Sequence, residues 1–205
     1  MNNETIVIKK ENVVNVYLKG DDNLKKMLKI MFPDVDFEAE AHTDNRPITE
    51  RVKTFEDACR ELGEDHPFVA IYRCNEDIYE CSADLTAYLK LRIICAALNE
   101  GWKPQFTEEE YRWYPWFYLW TSEELEEQDE VWKQDRRLID TDDFHTEYAG
   151  FAFAYSTNAP SNSSARFGSR LCLKSEALAD YCGNQFIDLW ANFNLIRRII
   201  IYPKI

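Results

Sequence analysis

Four polar residues that lie close together in the chain are of the types that bind metal ions. They are Asp142, Asp143, His145 and Glu147, and carboxylate and imidazole groups are common ligands of divalent ions that activate water. In a chain with 37 acidic residues, however, carboxylates fall near a histidine by chance, and this spacing matches no established ligand pattern. The sequence therefore predicts no cofactor, and a small metal-dependent hydrolase that uses these four residues is kept as an alternative.

Other catalytic signatures are missing from the sequence. There is no GxSxG, and Gly168-Ser169-Arg170 lacks the second glycine of a nucleophile elbow. With six glycines in the whole chain, neither GxGxxG nor GxxxxGK occurs, which disfavours the common routes of nucleotide binding. We therefore lean towards a protein that is not an enzyme.

The densest aromatic run lies between Trp102 and Trp120, where nine of 19 residues carry an aromatic ring. Trp, Tyr and Arg are enriched at the hot spots of protein interfaces. We therefore select Trp113, Trp116 and Tyr118 as candidate contact residues. The alternative interpretation is that these rings form the core, since so much aromatic area is normally buried.

A second candidate contact segment is the small-polar stretch from Tyr155 to Arg166. Its mixture of Tyr, Ser, Asn and Thr is typical of antibody paratopes, where aromatic rings make contact and small polar groups adapt. The candidate residues here are Tyr155, Asn158, Asn162 and Arg166. An ordinary long hairpin loop is the alternative.

The net charge of −13 limits the partners of the chain. An acidic protein repels phosphate backbones, so general nucleic-acid binding is not expected. The same charge would suit an acidic DNA mimic that inhibits a host DNA-binding protein, although net charge ordinarily serves solubility. No stretch approaches 18 apolar residues, so no membrane span is expected. The polar start of the chain and the absence of CxxC indicate a cytoplasmic protein with reduced thiols.

Apolar patterns and capping residues predict the elements of the first half. Thr5–Ile8 and Val13–Leu18 favour strands, and a helix is expected from about Leu24 to Phe32 after Asp21 or Asp22. A second helix should begin after Thr54 and end at Gly63. Two short strands are predicted at Phe68–Tyr72 and Ile78–Cys81. The clearest element is a buried central helix from Ala83 to Asn99.

In the second half, Thr107 and Glu110 match the capping-box pattern of a helix start. The acidic run Glu123–Glu130 predicts a solvated helix face. Strands are expected at Gly150–Tyr155 and Phe167–Leu173, followed by a long C-terminal helix that Ser175 caps. These elements predict an α+β fold, a single compact domain over residues 1–205 with a small, mostly antiparallel sheet. A separate N-terminal subdomain or arm over residues 1–47 is the alternative.

Three stretches carry a resemblance to a known group of proteins: ITERVKTFEDACRELG at 48–63, YLKLRIICAALNEGW at 88–102 and GSRLCLKSEALADYCGNQF at 168–186. The chain resembles a family of uncharacterised proteins of Bacteroides-type gut bacteria and their bacteriophages. The resemblance covers about half of the chain and brings no catalytic residues with it. It implies a viral or mobile-element gene product in the bacterial host cytoplasm, either a virion component or an accessory factor.

Together these observations predict a non-catalytic protein that acts through protein–protein contacts. A protein partner is expected, and self-association into a homo-oligomer stays open. The apolar tail Ile199–Pro203 would add a strand either to the sheet of its own chain or to that of a second copy.

Overall fold

The computed structural model describes residues 8, 10–37, 46–76, 82–105, 107, 109–160 and 170–198. The chain forms two compact units, Met1–Arg46 and Pro47–Ile205. The described residues hold ten helices and three strands, which confirms the predicted α+β class. Within these residues, every helix is too short or too polar to traverse a lipid bilayer.

The first unit contains two helices, α1 (Lys10–Lys19) and α2 (Asp22–Met31). Asp21 accepts a hydrogen bond from the backbone N–H of Leu24 at 2.8 Å, so α2 begins as predicted. The unit has a small core of its own, in which the rings of Tyr17 and Phe37 stack with centroids 4.6 Å apart. Its buried members are Val13, Val14, Tyr17, Leu28 and Phe37.

The strand predicted at Val13–Leu18 is wrong, because these residues belong to α1. Val13, Val14 and Tyr17 are buried on one side of the helix, whereas Val16 is 47% exposed. Burial therefore follows the helical period and not the alternation of a strand. Of the other predicted strand, Thr5–Ile8, only Ile8 is among the described residues.

The second unit begins with three short helices, α3 (Ile48–Arg51), α4 (Phe55–Leu62) and α5 (Pro67–Cys74). A complete capping box starts α4, in which the Thr54 hydroxyl accepts from the Asp57 N–H and Asp57 accepts from the Thr54 N–H. Gly63 ends the helix at φ +86°, a conformation that favours glycine. This helix confirms the sequence prediction.

The strand predicted at Phe68–Tyr72 is also wrong, since these residues form α5. Pro67 occupies the first turn, where its missing N–H costs nothing, and His66 Nδ1 accepts from the Phe68 N–H at 3.3 Å. Val69 and Tyr72 lie on one face and are buried. Its predicted hairpin partner, Ile78–Cys81, lies outside the described part of the chain.

The buried central helix is confirmed as α6 (Ala83–Leu98). It is apolar on most of its circumference and provides the centre of the main core, to which α4, α5 and the C-terminal helices contribute. Its fully or almost fully buried residues are Ala87, Leu91, Ile93, Ile94, Cys95, Ala97 and Leu98. Just beyond its end, the Asn99 amide joins it to another segment by donating to the Cys172 carbonyl and accepting from the Lys174 N–H, both at 2.9 Å.

An antiparallel sheet with the order β1-β3-β2 covers this core. Its strands are β1 (Tyr111–Trp120), β2 (Ile139–Asp140) and β3 (Gly150–Pro160). The short helices α7 (Ser122–Glu126) and α8 (Glu130–Asp135) lie between β1 and β2 along the chain. The predicted helix start at Thr107 is wrong: Glu110 instead accepts a hydrogen bond from the Gln105 N–H at 2.7 Å, and a strand follows.

The predicted C-terminal helix begins after Ser175 but is divided into α9 (Glu176–Gln185) and α10 (Ile187–Asn194). Phe186 leaves the helical conformation between them. The Arg137 guanidinium donates to the carbonyls of Asn184 and Gln185 at 3.2 and 3.0 Å, which satisfies the end of α9. Of the strand predicted at Phe167–Leu173, the described part forms a single bridge, in which Leu173 pairs with Trp113.

Candidate functional site

The most distinctive surface of the second unit is formed by aromatic rings on the side of the sheet that faces away from the core. Successive side chains of a strand point to opposite faces, so the alternate residues Trp116, Tyr118 and Trp120 share one face of β1. Tyr155 of β3 joins them opposite Trp116. We call these four residues the outer aromatic face.

A β-bulge brings Tyr155 to this face. Trp116 pairs with Tyr155, but the next residue, Phe117, pairs with Phe153, so Ala154 has no partner in β1. In a regular strand Tyr155 would point to the same side as Phe153, which is buried. The extra residue reverses the alternation and turns Tyr155 outward.

The rings of the outer aromatic face contact one another, and three of the four are exposed to solvent, whereas Trp120 is half-buried. Trp116 and Tyr155 are nearly parallel, with centroids 6.3 Å apart, and Tyr118 meets Tyr155 edge-on at 6.1 Å. The exposed fractions are 53% for Tyr118, 47% for Tyr155 and 38% for Trp116. Exposed aromatic rings that already support one another lose little side-chain freedom when a partner covers them.

The opposite side of the same strands belongs to the core. The ring of Phe117 stacks on that of Phe151, with centroids 4.7 Å apart, and its centroid lies 5.5 Å from that of Trp190 in α10. Trp113, one of the candidate contact residues, also packs against this core and is only partly exposed. The aromatic run is therefore neither all core nor all surface, and Trp113 is not part of the outer aromatic face.

The other candidate residues of the small-polar segment are placed differently from Tyr155. The segment does not begin as a loop, because β3 continues to Pro160, and Asn158 is a half-buried strand residue opposite Trp113. Asn162 and Arg166 lie outside the described residues. The structure thus brings together Trp116, Tyr118 and Tyr155 from the set of contact residues that the sequence suggested.

Two further aromatic residues adjoin these rings but were not among the candidate contact residues selected from the sequence. Trp120 contacts Tyr118 edge-on, and Trp132 of α8 meets Trp120 at 4.9 Å. Trp120 was detectable, since Trp116, Tyr118 and Trp120 already show the two-residue period of a strand face. Trp132 comes from another element, so only the packing of α8 reveals it.

Acidic helices adjoin one end of the outer aromatic face. Thr121 follows Trp120 directly and caps α7 through a second capping box with Glu124. Glu123, Glu126 and Glu127 are exposed, as predicted, but the acidic run is divided between two short helices and does not form one helix face. This end of the surface is therefore strongly negative.

An apolar groove of about 510 Å³ lies on the edge of the sheet between β1 and α10. Its lining includes Phe117 and Leu119 of β1, and Trp190, Phe193 and Leu195 of the C-terminal segment. Trp116 of the outer aromatic face also lines it. Its size is that of a small-ligand site. Few polar groups converge on it, so it offers little for the orientation of a substrate.

The four candidate metal ligands do not form a cluster. Asp142, Asp143, His145 and Glu147 are all exposed, and buried Phe144 anchors their loop. The loop is held by its backbone, in which the His145 N–H donates to the Ile196 carbonyl at 2.7 Å. Across the described ranges, no three His, Cys, Asp or Glu side chains are arranged to hold a metal ion. The hydrolase alternative therefore has no support from the geometry.

Three of the described cysteines have thiols with raised pKa values, which makes them poor nucleophiles. Burial raises the pKa of Cys59 and of Cys172 to about 11 in each case. The pKa of Cys95 is raised as well, first by a hydrogen bond with Cys182 and then by burial. A thiol with a raised pKa carries little thiolate near neutral pH, so these groups pack as small apolar side chains.

No protein-family model matches this chain, and no curated protein or solved structure shows significant similarity to it.

Proposed function

We propose that this chain is a protein-binding module whose contact surface is the outer aromatic face. The observation that carries the proposal is the outward-facing cluster of Trp116, Tyr118 and Tyr155, each more than a third exposed. Tyr and Trp dominate the binding energy of protein interfaces because they offer a large apolar area with few rotatable bonds. A bulge that turns one more ring outward fits a binding role.

The resemblance to proteins of gut bacteria and their phages supplies the biological setting of the proposal. In that setting the chain works in the cytoplasm of a bacterial host, as a virion component or as an accessory factor of a phage or mobile element. Its action is contact with another protein and not catalysis.

The test of this proposal is affinity capture with variants that change only exposed rings. Three tagged chains capture partners from a lysate of the bacterium that carries the gene. They are the wild type, the variant Tyr118→Ala/Tyr155→Ala and the control Tyr111→Ala/Tyr148→Ala. Tyr111 and Tyr148 are matched controls because they are also exposed, at 54% and 37%. We expect one protein to elute at fixed stoichiometry with the wild type and the control, and to be lost with Tyr118→Ala/Tyr155→Ala.

Thermal unfolding separates loss of contact from loss of fold. Exposed substitutions cost about 0.5 kcal/mol or less each, so both double variants should melt within about 4 °C of the wild type. In contrast, Phe151→Ala removes a buried core ring and should cost about 3–5 kcal/mol. Retention of the partner by a folded Tyr118→Ala/Tyr155→Ala chain, or no partner with the wild type, would refute the proposal.

A further inference from the structure

The outer aromatic face lies beside a dense set of carboxylates. From Thr121 to Asp135 the chain carries seven acidic residues and a single lysine. Among the described residues, Lys133 with Glu130 is the one salt bridge of this segment. Trp132 of α8 contacts Trp120 with ring centroids 4.9 Å apart, and Trp120 in turn meets Tyr118, so α8 is joined to the outer aromatic face through ring contacts.

Trp132, which contacts the outer aromatic face through Trp120, already binds a guanidinium of its own chain. The Cζ atom of Arg136 lies over the Trp132 ring, 5.7 Å from the centroid, and its Nη1 donates to the Phe153 carbonyl at 3.2 Å. A cation over an aromatic face is attracted by the negative face of the ring. In the described part of the chain, no Lys or Arg lies over Tyr118 or Tyr155, although both rings are about half exposed. The parts of these rings that Trp116 and the two tyrosines leave uncovered can accept cations from outside.

Charge decides among the molecules that bind to aromatic surfaces. Unpaired nucleic-acid bases stack on such rings, but a phosphate backbone would be repelled by the adjacent carboxylates. A second copy of this chain carries the same net charge of −13, so the two copies would repel each other. A neutral sugar would leave the carboxylates without a role. A basic segment can place its cations over the rings and form ion pairs with the carboxylates.

We infer that the outer aromatic face binds an arginine-rich segment of its partner protein, with guanidinium groups over Tyr118 and Tyr155. The carboxylates of Glu123, Glu126 and Glu127 attract the remaining positive charge. Arginine is favoured over lysine because its planar, weakly hydrated guanidinium stacks on aromatic faces. This inference rests on the proposed function and adds the chemistry of the partner.

Binding of fluorescein-labelled nonapeptides, measured by fluorescence anisotropy at 50 and 300 mM NaCl, tests the inference. The probes alternate glycine with arginine, with lysine or with glutamine. We expect the arginine peptide to bind more than tenfold tighter than the glutamine peptide and about threefold tighter than the lysine peptide. Its Kd should rise severalfold at the higher salt concentration, since exposed charges are screened.

Two variants separate the rings from the carboxylates. Tyr118→Ala/Tyr155→Ala should raise the Kd of the arginine peptide about fivefold or more, and should abolish its advantage over lysine. Glu123→Gln/Glu126→Gln/Glu127→Gln should also weaken binding and should flatten the salt dependence. The control Glu50→Gln/Asp65→Asn/Asp188→Asn removes the same charge from exposed positions elsewhere in this unit and should change the Kd less than twofold.

Equal binding of the arginine and glutamine peptides would overturn the inference, and the capture experiment above would then decide separately whether the surface binds a protein at all. Loss of binding in the glutamate variant with full binding in the tyrosine variant would also overturn it. That result would mean that carboxylates alone recognise a basic partner, as in a DNA mimic.

Discussion

Tyr155 contributes to the proposed surface because one neighbouring residue, Ala154, has no partner across the sheet. The side chain of Tyr155 is of a type suited to binding, but the backbone decides whether the ring faces a partner or the core. Phe153, two residues earlier and on the other side of the bulge, is an aromatic residue that is buried. At the scale of the residue, the type of side chain therefore makes a contact with a partner favourable, and the strand register decides whether that side chain is exposed.

Asp57 is a residue whose hydrogen bonds make the stability of the folded chain depend on pH. Burial alone would raise the pKa of this carboxyl, but hydrogen bonds from the Thr54 hydroxyl and from the N–H groups of Lys53 and Thr54 lower it below its usual value. A carboxyl with a lower pKa in the folded state stabilises the protein above its unfolded pKa of about 4. That contribution is lost as the pH falls through the folded pKa.

We therefore expect Asp57→Ala to reduce the free energy of unfolding by about 0.5–2 kcal/mol at pH 7. The difference from the wild type should shrink as the pH is lowered from 5 towards 2, because the wild-type carboxyl becomes protonated. Urea unfolding of both chains at several pH values measures it. Thr54→Ala provides a double-mutant cycle: the two losses should be less than additive, and full additivity would show that the capping box does not act as a unit.

At the scale of elements, the sheet is joined to the core by a close approach of α9. Gly183 is buried in this helix, and a Cβ atom placed on it would lie 2.6 Å from the Phe153 ring and 2.7 Å from Pro115 Cβ. Pro115 is itself compatible with β1 because this strand is at an edge of the sheet. The spacing between helix and sheet therefore depends on the absence of a side chain at position 183.

Gly183→Ala should lower stability or leave it unchanged, even though alanine is the better helix former. Helix propensity would contribute about 1 kcal/mol of stabilisation, whereas overpacking costs typically about 1–3 kcal/mol, so the steric effect outweighs it or cancels it. Guanidinium unfolding with an unchanged m-value would measure the change. The neighbouring Asn184→Ala adds no atom at position 183. It gains helix propensity but loses the hydrogen bond from the Asn184 side chain to the Asp180 carbonyl, so stability should change by less than about 1 kcal/mol. A clearly stabilised Gly183→Ala chain would show that α9 lies further from the sheet.

At the scale of the whole molecule, each of the two compact units has a core built from its own residues. The core of the second unit contains α6, the inner side of the sheet and both C-terminal helices. Polar contacts strengthen it across long stretches of chain: the Tyr181 hydroxyl donates to the Val52 carbonyl at 2.7 Å, and Gln185 donates to the Lys53 carbonyl at 2.8 Å. A core of this kind supports independent folding.

We expect the fragment 47–205 to unfold in a single cooperative thermal transition and to keep the near-ultraviolet circular dichroism that ordered aromatic rings produce. The fragment should also bind the arginine peptide with the affinity of the full chain, because the outer aromatic face and the acidic helices belong to this unit. A fragment with helical far-ultraviolet signal but no cooperative transition would show that residues 1–46 are needed for tertiary order.

The sequence alone determined the features that depend on a few neighbouring residues. Asp21, Thr54 with Asp57, and Ser175 mark helix starts that the structure confirms, because a capping bond joins residues three positions apart. The wide apolar stripe of Ala83–Leu98 likewise predicted the buried central helix. At these positions the local signals agree with the packing around them. The capping-box pattern at Thr107 and Glu110 is just as local, yet it failed because a strand follows it.

Tertiary structure decided the points at which local preferences were weak or divided. Val13–Leu18 and Phe68–Tyr72 are short apolar runs rich in β-branched and aromatic residues, and burial of one face against neighbouring elements made them helices. The aromatic run could not be assigned to core or surface from its composition, since in a strand half of its rings point each way. The register with β3 and the bulge at Ala154 set which rings meet solvent. Pairing between residues 30 to 49 positions apart leaves no mark on the sequence of either strand.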